Sequence, residues 1–130
     1  MLGESGLTKL EREMIAVTVS SENHCFYCLV AHGSAVRELS NDPQLGERIA
    51  ANFRSAELPK KQEELLNFTK KLTKDPSDIG ENDRKKLRDV GYTDRDIWDI
   101  SAIVGLFNMT NRLASATEME PNNNYHNLAR

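Results

Sequence analysis

The chain has 130 residues, of which 38% are hydrophobic and 28% charged, and its net charge is −3. That length suits one domain around one core, and the apolar content is too high for a disordered chain. The two signs of charge are interspersed without a basic stripe, which argues against nucleic-acid binding, and no apolar run approaches the roughly 20 residues that span a bilayer.

The N-terminus, "MLGESGLTKLERE", has no basic start followed by an apolar block, so it does not read as a secretory signal, and a cytoplasmic location is expected. "TKLE" (Thr8 to Glu11) reads as a capping box opening a first helix. Leu7, Leu10, Met14 and Val17 follow at helical spacing. Ile15 and Val19 fall on the far side, so both faces should be covered. This helix should stop near Asn23, and a second should run from about Cys25 to Leu39.

"SNDPQ" supplies a cap and then Pro43 at a first helical position, opening a third helix that carries Leu45, Ile49 and Phe53. Pro59 restarts the chain, and Leu65, Phe68 and Leu72 mark a fourth helix. "KDPSDIGEN" reads as a polar loop. "ENDRKKLRDVG" is a short fifth helix ending at Gly91. From Thr93, a natural cap, a long sixth helix presents Ile97, Ile100, Ile103, Val104 and Phe107, a surface broad enough for the central core helix or a subunit interface. Gly105 in its middle costs about 1 kcal/mol relative to alanine, which predicts a close helix approach there. Trp98 is expected in the core or an interface, and His126 at the surface. The tail, residues 118–130, is polar and expected to be only partly ordered. There is no internal repeat and no linker. The expectation is one all-α domain over residues 1–130, a bundle of about six helices.

The chemistry concentrates in "SSENHCFYCLVAHGSA" (residues 20–35), which holds both cysteines and two of the three histidines. A reducing compartment argues against a structural staple, so close pairing points to redox chemistry or metal. On a helix, Cys25, Cys28 and His32 are separated by three and four residues and share one face. Cys25 falls at the helix start, where unsatisfied N–H groups and the positive dipole end favour a thiolate. These are the parts of a dithiol/disulfide couple.

A thiol needs a base to become a nucleophile, and His32 is one turn beyond Cys28. Glu13 lies about 60° from the centre of the first helix's apolar stripe at roughly 100° per residue. In a helix hairpin it could face His32 or Cys28. Other readings stand beside this one. Cys28 can be a small buried hydrophobe, Glu13 a solvated flank charge, and His24, Cys25, Cys28 and His32 four zinc ligands drawn from nine residues. Asn108 and Asn111 share a face of the last helix. They read as amides satisfying helix ends, with lining of the site as the second reading.

Glu13, eleven residues, Cys25-Phe-Tyr-Cys28, three residues and His32 resemble the signature of the alkylhydroperoxidase D family, part of the carboxymuconolactone decarboxylase-like superfamily. "LEREMIAVTVSSENHCFYCLVAHG" and "LFNMTNRLASATEMEPN" resemble its peroxidase-related branch, and the likeness covers about residues 7 to 126. It implies an all-α, alkylhydroperoxidase D-like fold, assembled as trimers or hexamers, and a thiol peroxidase. Cys28 would attack a hydroperoxide. Cys25 would resolve the product as a disulfide. His32 and Glu13 would form the proton relay. No metal, flavin or haem is implied, and electrons would arrive from an external dithiol such as a lipoylated protein.

Two departures stand out. The best-known peroxidases carry a second histidine just before the second cysteine, where this chain has Tyr27, which is no base near neutral pH. Longer relatives also carry helical sequence ahead of "LTKLERE", where this chain has six residues, as a short homologue or a fragment would. A disulfide reductase or redox relay uses the same dithiol on another substrate. The lactone decarboxylase branch does not rely on this cysteine pair.

Overall fold

The structure is a computed structural model that describes residues 3–130. It contains seven α-helices and, among the described residues, no strand: α1 (Lys9–Glu22), α2 (Phe26–Ser40), α3 (Leu45–Asn52), α4 (Lys60–Lys74), α5 (Glu81–Asp89), α6 (Asp94–Ala116) and α7 (Asn123–Asn127). Two 3₁₀ turns, Phe53–Ser55 and Pro76–Asp78, fall after α3 and inside the polar loop. The fold is the expected all-α bundle, with one helix more than the six expected.

α1 is the hub, packing against α2, α3, α4 and α6. Its two apolar faces explain this: every residue from Met14 to Ser20 is buried. Val36 of α2, Ile49 of α3, Leu65 and Leu66 of α4, and Ile100 and Val104 of α6 close around it. The capping box forms at its start, with Glu11 N–H donating to Thr8 Oγ1 and Thr8 N–H to Glu11 Oε1, both at 3.0 Å. The second Glu11 oxygen accepts the buried Tyr92 hydroxyl, which fastens α1 to the α5–α6 connection. Thr93 likewise caps α6, reciprocally with Asp96.

Three helices end in the same way. After α1, α5 and α6 the chain passes through a left-handed residue, whose own N–H and the following N–H return to the last turn. Gly91 takes this position after α5 (φ 105°), as its sequence suggests, but His24 (φ 52°) and Glu118 (φ 55°) take it after α1 and α6. A side chain in this conformation costs about 1–2 kcal/mol, so these two reversals are held by their surroundings.

Several expectations are corrected. Pro43 lies in the turn before α3, whose cap is Gln44. Phe53 is buried in the following 3₁₀ turn. Of the two places expected for Trp98, core or interface, its 73% exposure removes the first. The tail is tied down rather than loose: α7 packs on α2, and the buried Arg37 donates to the carbonyls of Tyr125 (2.8 Å) and Leu128 (2.9 Å). His126 is half-buried, its ring 6.1 Å from that of Phe26. α6 is not a core helix on all sides. It buries Ile97, Ile100, Ile103, Val104 and Phe107 while exposing Trp98, Leu106, Met109 and Leu113. No helix among the described residues is long and apolar enough to cross a membrane.

The close helix approach is at Gly46, not Gly105. A Cβ on Gly46 would lie 2.8 Å from the Gly33 carbonyl oxygen and 3.3 Å from its Cα, whereas one on Gly105 meets nothing within 4 Å. Backbone cannot yield as a flexible side chain does, so Gly46→Ala should lower stability by about 1–3 kcal/mol. Gly105→Ala should raise the stability of the monomer by up to about 1 kcal/mol. Urea denaturation of the two variants checks both signs.

Candidate active site

The site forms where α1 turns into α2. The left-handed His24 reverses the chain, and the Cys25 N–H donates to Ser20 O at 3.0 Å. Cys25 thereby becomes the N-cap of α2. Its side chain makes no hydrogen bond to the helix N–H groups. The thiol turns inward instead, so the expected dipole contact is not made. Cys25 is 1% and Cys28 3% exposed. Both are free thiols, with sulfurs 2.7 Å apart. That is within about an ångström of the ~2.05 Å of a disulfide bond, so closing one needs only a small local shift.

The hairpin brings Glu13 of α1 to His32 of α2, Oε2 to Nδ1 at 2.6 Å. Both side chains are about three-quarters or more covered. A carboxylate oxygen accepts, so a proton on Nδ1 would bond Glu13 and, in the neutral ring, leave Nε2 as the acceptor. Phe107 of α6 packs against the imidazole edge to face, centroids 4.7 Å apart. The ring is therefore fixed from two sides. His32 makes no direct hydrogen bond to Cys28; both line one cavity.

Burial, and next the hydrogen bond with Cys25, push the Cys28 thiol up to about 12. The polar side chains of Asn111 and Ser20 pull the other way. At rest Cys28 is a protonated thiol, and the low dielectric around it outweighs the donors. The cavity at its mouth, about 330 Å³, is lined by Tyr27, Cys28, His32, Phe107, Thr110, Leu113, Ala114 and Met119. Tyr27, in the place of the second histidine, is a half-buried wall of this cavity. A larger cavity, of about 590 Å³, is a charged groove lined by residues such as Arg54, Lys74 and Asp83, and it shares no residue with the cysteine site.

The four residues Glu13, Cys25, Cys28 and His32 thus lie in one cluster. His24 does not join them: its side chain is exposed in the turn. Among the described residues no three His, Cys, Asp or Glu side chains are placed to hold a metal ion, so the four-ligand zinc arrangement lacks its geometry. Asn111 bonds side chains rather than open backbone groups: its Oδ1 accepts from Asn23 Nδ2 at 3.1 Å and its Nδ2 donates to Ser20 Oγ at 3.0 Å. Ser20 gave no signal in the sequence, because a serine near a helix end is ordinary.

The raised Cys28 ionisation has a consequence for folding. The folded value lies above the unfolded one of about 8.5, so the contribution is fully present below about pH 8.5 and is lost as pH rises toward 12. Under reducing conditions, stability should fall more steeply between about pH 8.5 and 10 in the wild type than in Cys28→Ser. Urea midpoints across that range measure it, and parallel curves would contradict the buried, protonated thiol.

Comparison with known proteins places the sequence and the fold. The carboxymuconolactone decarboxylase family model matches residues 1–75. A crystal structure of an uncharacterized peroxidase-related protein from Silicibacter sp. TM1040 shares 61% identity and superposes with a TM-score of 0.98, covering all of this chain and 68% of that one. The alkylhydroperoxidase AhpD core of an uncharacterized peroxidase-related protein from Ralstonia eutropha JMP134 shares 41% identity, with a TM-score of 0.97 and the same coverage. A protein of unknown function from Agrobacterium tumefaciens, 21% identical over 90% of this chain and 80% of its own, shares the fold with a TM-score of 0.81. No curated protein matches the chain. On this likeness of sequence and fold, the chain belongs to the carboxymuconolactone decarboxylase family.

Proposed function

We propose that the protein is a thiol-dependent hydroperoxide reductase working through a Cys25–Cys28 couple. The observation that carries this reading is one contiguous cluster: two sulfurs 2.7 Å apart, beside an imidazole held by a carboxylate at 2.6 Å, opening on an apolar cavity. The peroxidase-related names of the two similar structures support the same reaction class.

In the proposed cycle His32 Nε2, oriented by Glu13, takes the Cys28 proton directly or through a water. The thiolate attacks the terminal peroxide oxygen. The O–O bond breaks, and the leaving alkoxide takes a proton and departs as an alcohol. Cys28 is left as a sulfenic acid. Cys25 attacks that sulfur, its proton and the hydroxide leave as water, and the disulfide closes. An external dithiol, such as a lipoylated protein, returns both thiols through a mixed disulfide and is itself oxidised. The net change is two thiols and one hydroperoxide to one disulfide, one alcohol and one water. The scheme needs no metal, flavin or haem.

One equivalent of an organic hydroperoxide should lower the intact mass of the reduced protein by two hydrogens and remove both free thiols. Cys28→Ser should abolish this. Glu13→Gln should slow it by about 10²–10⁴, the usual range for an acid–base group. Full turnover by Cys28→Ser would sink the assignment. Thiols inert to peroxide but in rapid exchange with an oxidised dithiol would replace it with a disulfide reductase.

The reading extends to assembly. Trp98, Leu106, Met109 and Leu113 form an exposed apolar stripe on α6, and a second copy of the chain seated there would bury it, as in a trimer or hexamer. Sedimentation should report such a species for the wild type and a smaller one for Met109→Glu. A monomeric wild type would overturn this placement.

A further inference from the structure

On the side of α2 turned away from Cys28 lies a buried cation whose charge is not balanced. Arg37 is 4% exposed. Its Nε donates to Leu128 O at 2.9 Å and its Nη2 to Tyr125 O at 2.8 Å. Carbonyls satisfy N–H groups but carry no net charge, and a buried cation is expensive unless it is also paired. Arg37 forms no ion pair among the described residues. Glu47 of α3 acts on it from a distance but is itself engaged by Arg130. Burial, and next the like charge of Arg130, hold the Arg37 guanidinium below its ordinary value.

The same guanidinium has a side left open. It carries five N–H groups, and only two are spent on the tail carbonyls. Nη1 makes no hydrogen bond among the described residues, and it is not sealed from solvent. A Cβ on Gly33 would lie 4.0 Å from Nη1 and meet nothing else within 4 Å, so the missing side chain leaves this nitrogen uncovered. Gly33 and Arg37 both line a cavity of about 240 Å³. Phe26, Leu29 and Val30 of α2 and Ala50 of α3 give it apolar walls, and His126 and Arg130 of the tail stand at its rim. Its α2 residues share one helix face. Cys28 falls about 160° round from Val30 at roughly 100° per residue, and the two cavities have no residue in common.

We propose that this cavity binds a short-chain carboxylate, with the acid group on Arg37 and the apolar chain between α2 and α3. The missing counter-charge calls for an anion. The walls of Phe26, Leu29, Val30 and Ala50 call for a hydrocarbon body, which a small hydrophilic anion lacks. At the ~30 Å³ that one water takes in the liquid, the volume suits about eight heavy atoms, the size of hexanoate. Neither Cys28 nor His32 takes part, so the site stands independently of the peroxidase reading.

The test is an NMR titration of the full chain with hexanoate, with acetate, phosphate and 1-hexanol as controls. Hexanoate should saturate one site with a Kd of about 1 mM or tighter, a modest value for about eight heavy atoms, and should shift the amide signals of Gly33 and Ala50. Acetate should bind at least about tenfold more weakly, because each buried methylene is worth about fourfold. Hexanol should be weaker by about tenfold, its hydrogen bond lacking a charge, and phosphate should not compete. Arg37→Gln, which keeps donors for the tail but no charge, should weaken hexanoate at least about tenfold. Gly33→Ala sets a methyl beside Nη1 in a helix interior that favours alanine, and should weaken it several-fold. Lack of saturable binding overturns the proposal, as does acetate, phosphate or hexanol binding as tightly as hexanoate. Unchanged affinity in a folded Arg37→Gln overturns it, and if that variant does not fold, unchanged affinity in Gly33→Ala does. Cys28→Ser should bind hexanoate as the wild type does; a loss there would put the acid in the other cavity and overturn the proposal as well.

Discussion

Between α1 and α2 the chain has to reverse within three residues, and nearly everything in the candidate site follows from how it does so. The reversal needs a left-handed residue that returns its own N–H to Ser21 O and the next N–H to Ser20 O. His24 supplies it at a cost of about 1–2 kcal/mol in backbone strain that glycine would avoid. The strain is offset by what the turn buries: Cys25 and Cys28 on the inner side, and the Asn23 amide bonded across to α6. A looser connection would still leave two helices. It would not hold two sulfurs in contact or set Glu13 opposite His32.

Burial of this kind creates a chemical conflict. A thiol raised to about 12 is ionised to only about one part in 10⁵ at pH 7, since each unit is a factor of ten. A free cysteine, near 8.5, would be ionised to a few per cent. Desolvation therefore outweighs the neighbouring donors at rest. In the proposed cycle the proton leaves Cys28 only as the sulfur reacts, into a base oriented beforehand. Burial of both thiols would then protect the dithiol from indiscriminate oxidation between turnovers, because susceptibility follows thiolate character and exposure.

Much of this was legible in the sequence, and for local reasons. The capping boxes at Thr8 and Thr93, the Gly91 stop and the apolar spacing of α1 and α6 are short-range signals that the fold does not override. The Cys25, Cys28 and His32 face follows from helical spacing alone. Three things were not legible. The glycine that permits close packing is Gly46, because the contact depends on where α2 crosses α3 rather than on a helix-interior glycine as such. The tail looked loose because its composition is polar, yet one buried arginine on α2 captures two of its carbonyls. The buried bond from Asn111 to Ser20 joins residues far apart in the chain, and that separation leaves no periodic trace.

The same separation gives α6 three tasks along one helix. Its inner face fills the core, and Asn111 bonds Asn23 and Ser20 at the end of α1. Phe107, Thr110, Leu113 and Ala114 wall the cavity. Leu113 belongs to two of its surfaces, since it lines the cavity and is also part of the exposed stripe. Burying that stripe against a second copy would therefore cover a wall of the cavity as well as apolar surface. Assembly and access to Cys28 would then be set by the same residues, and a substitution on this face would be expected to change both together.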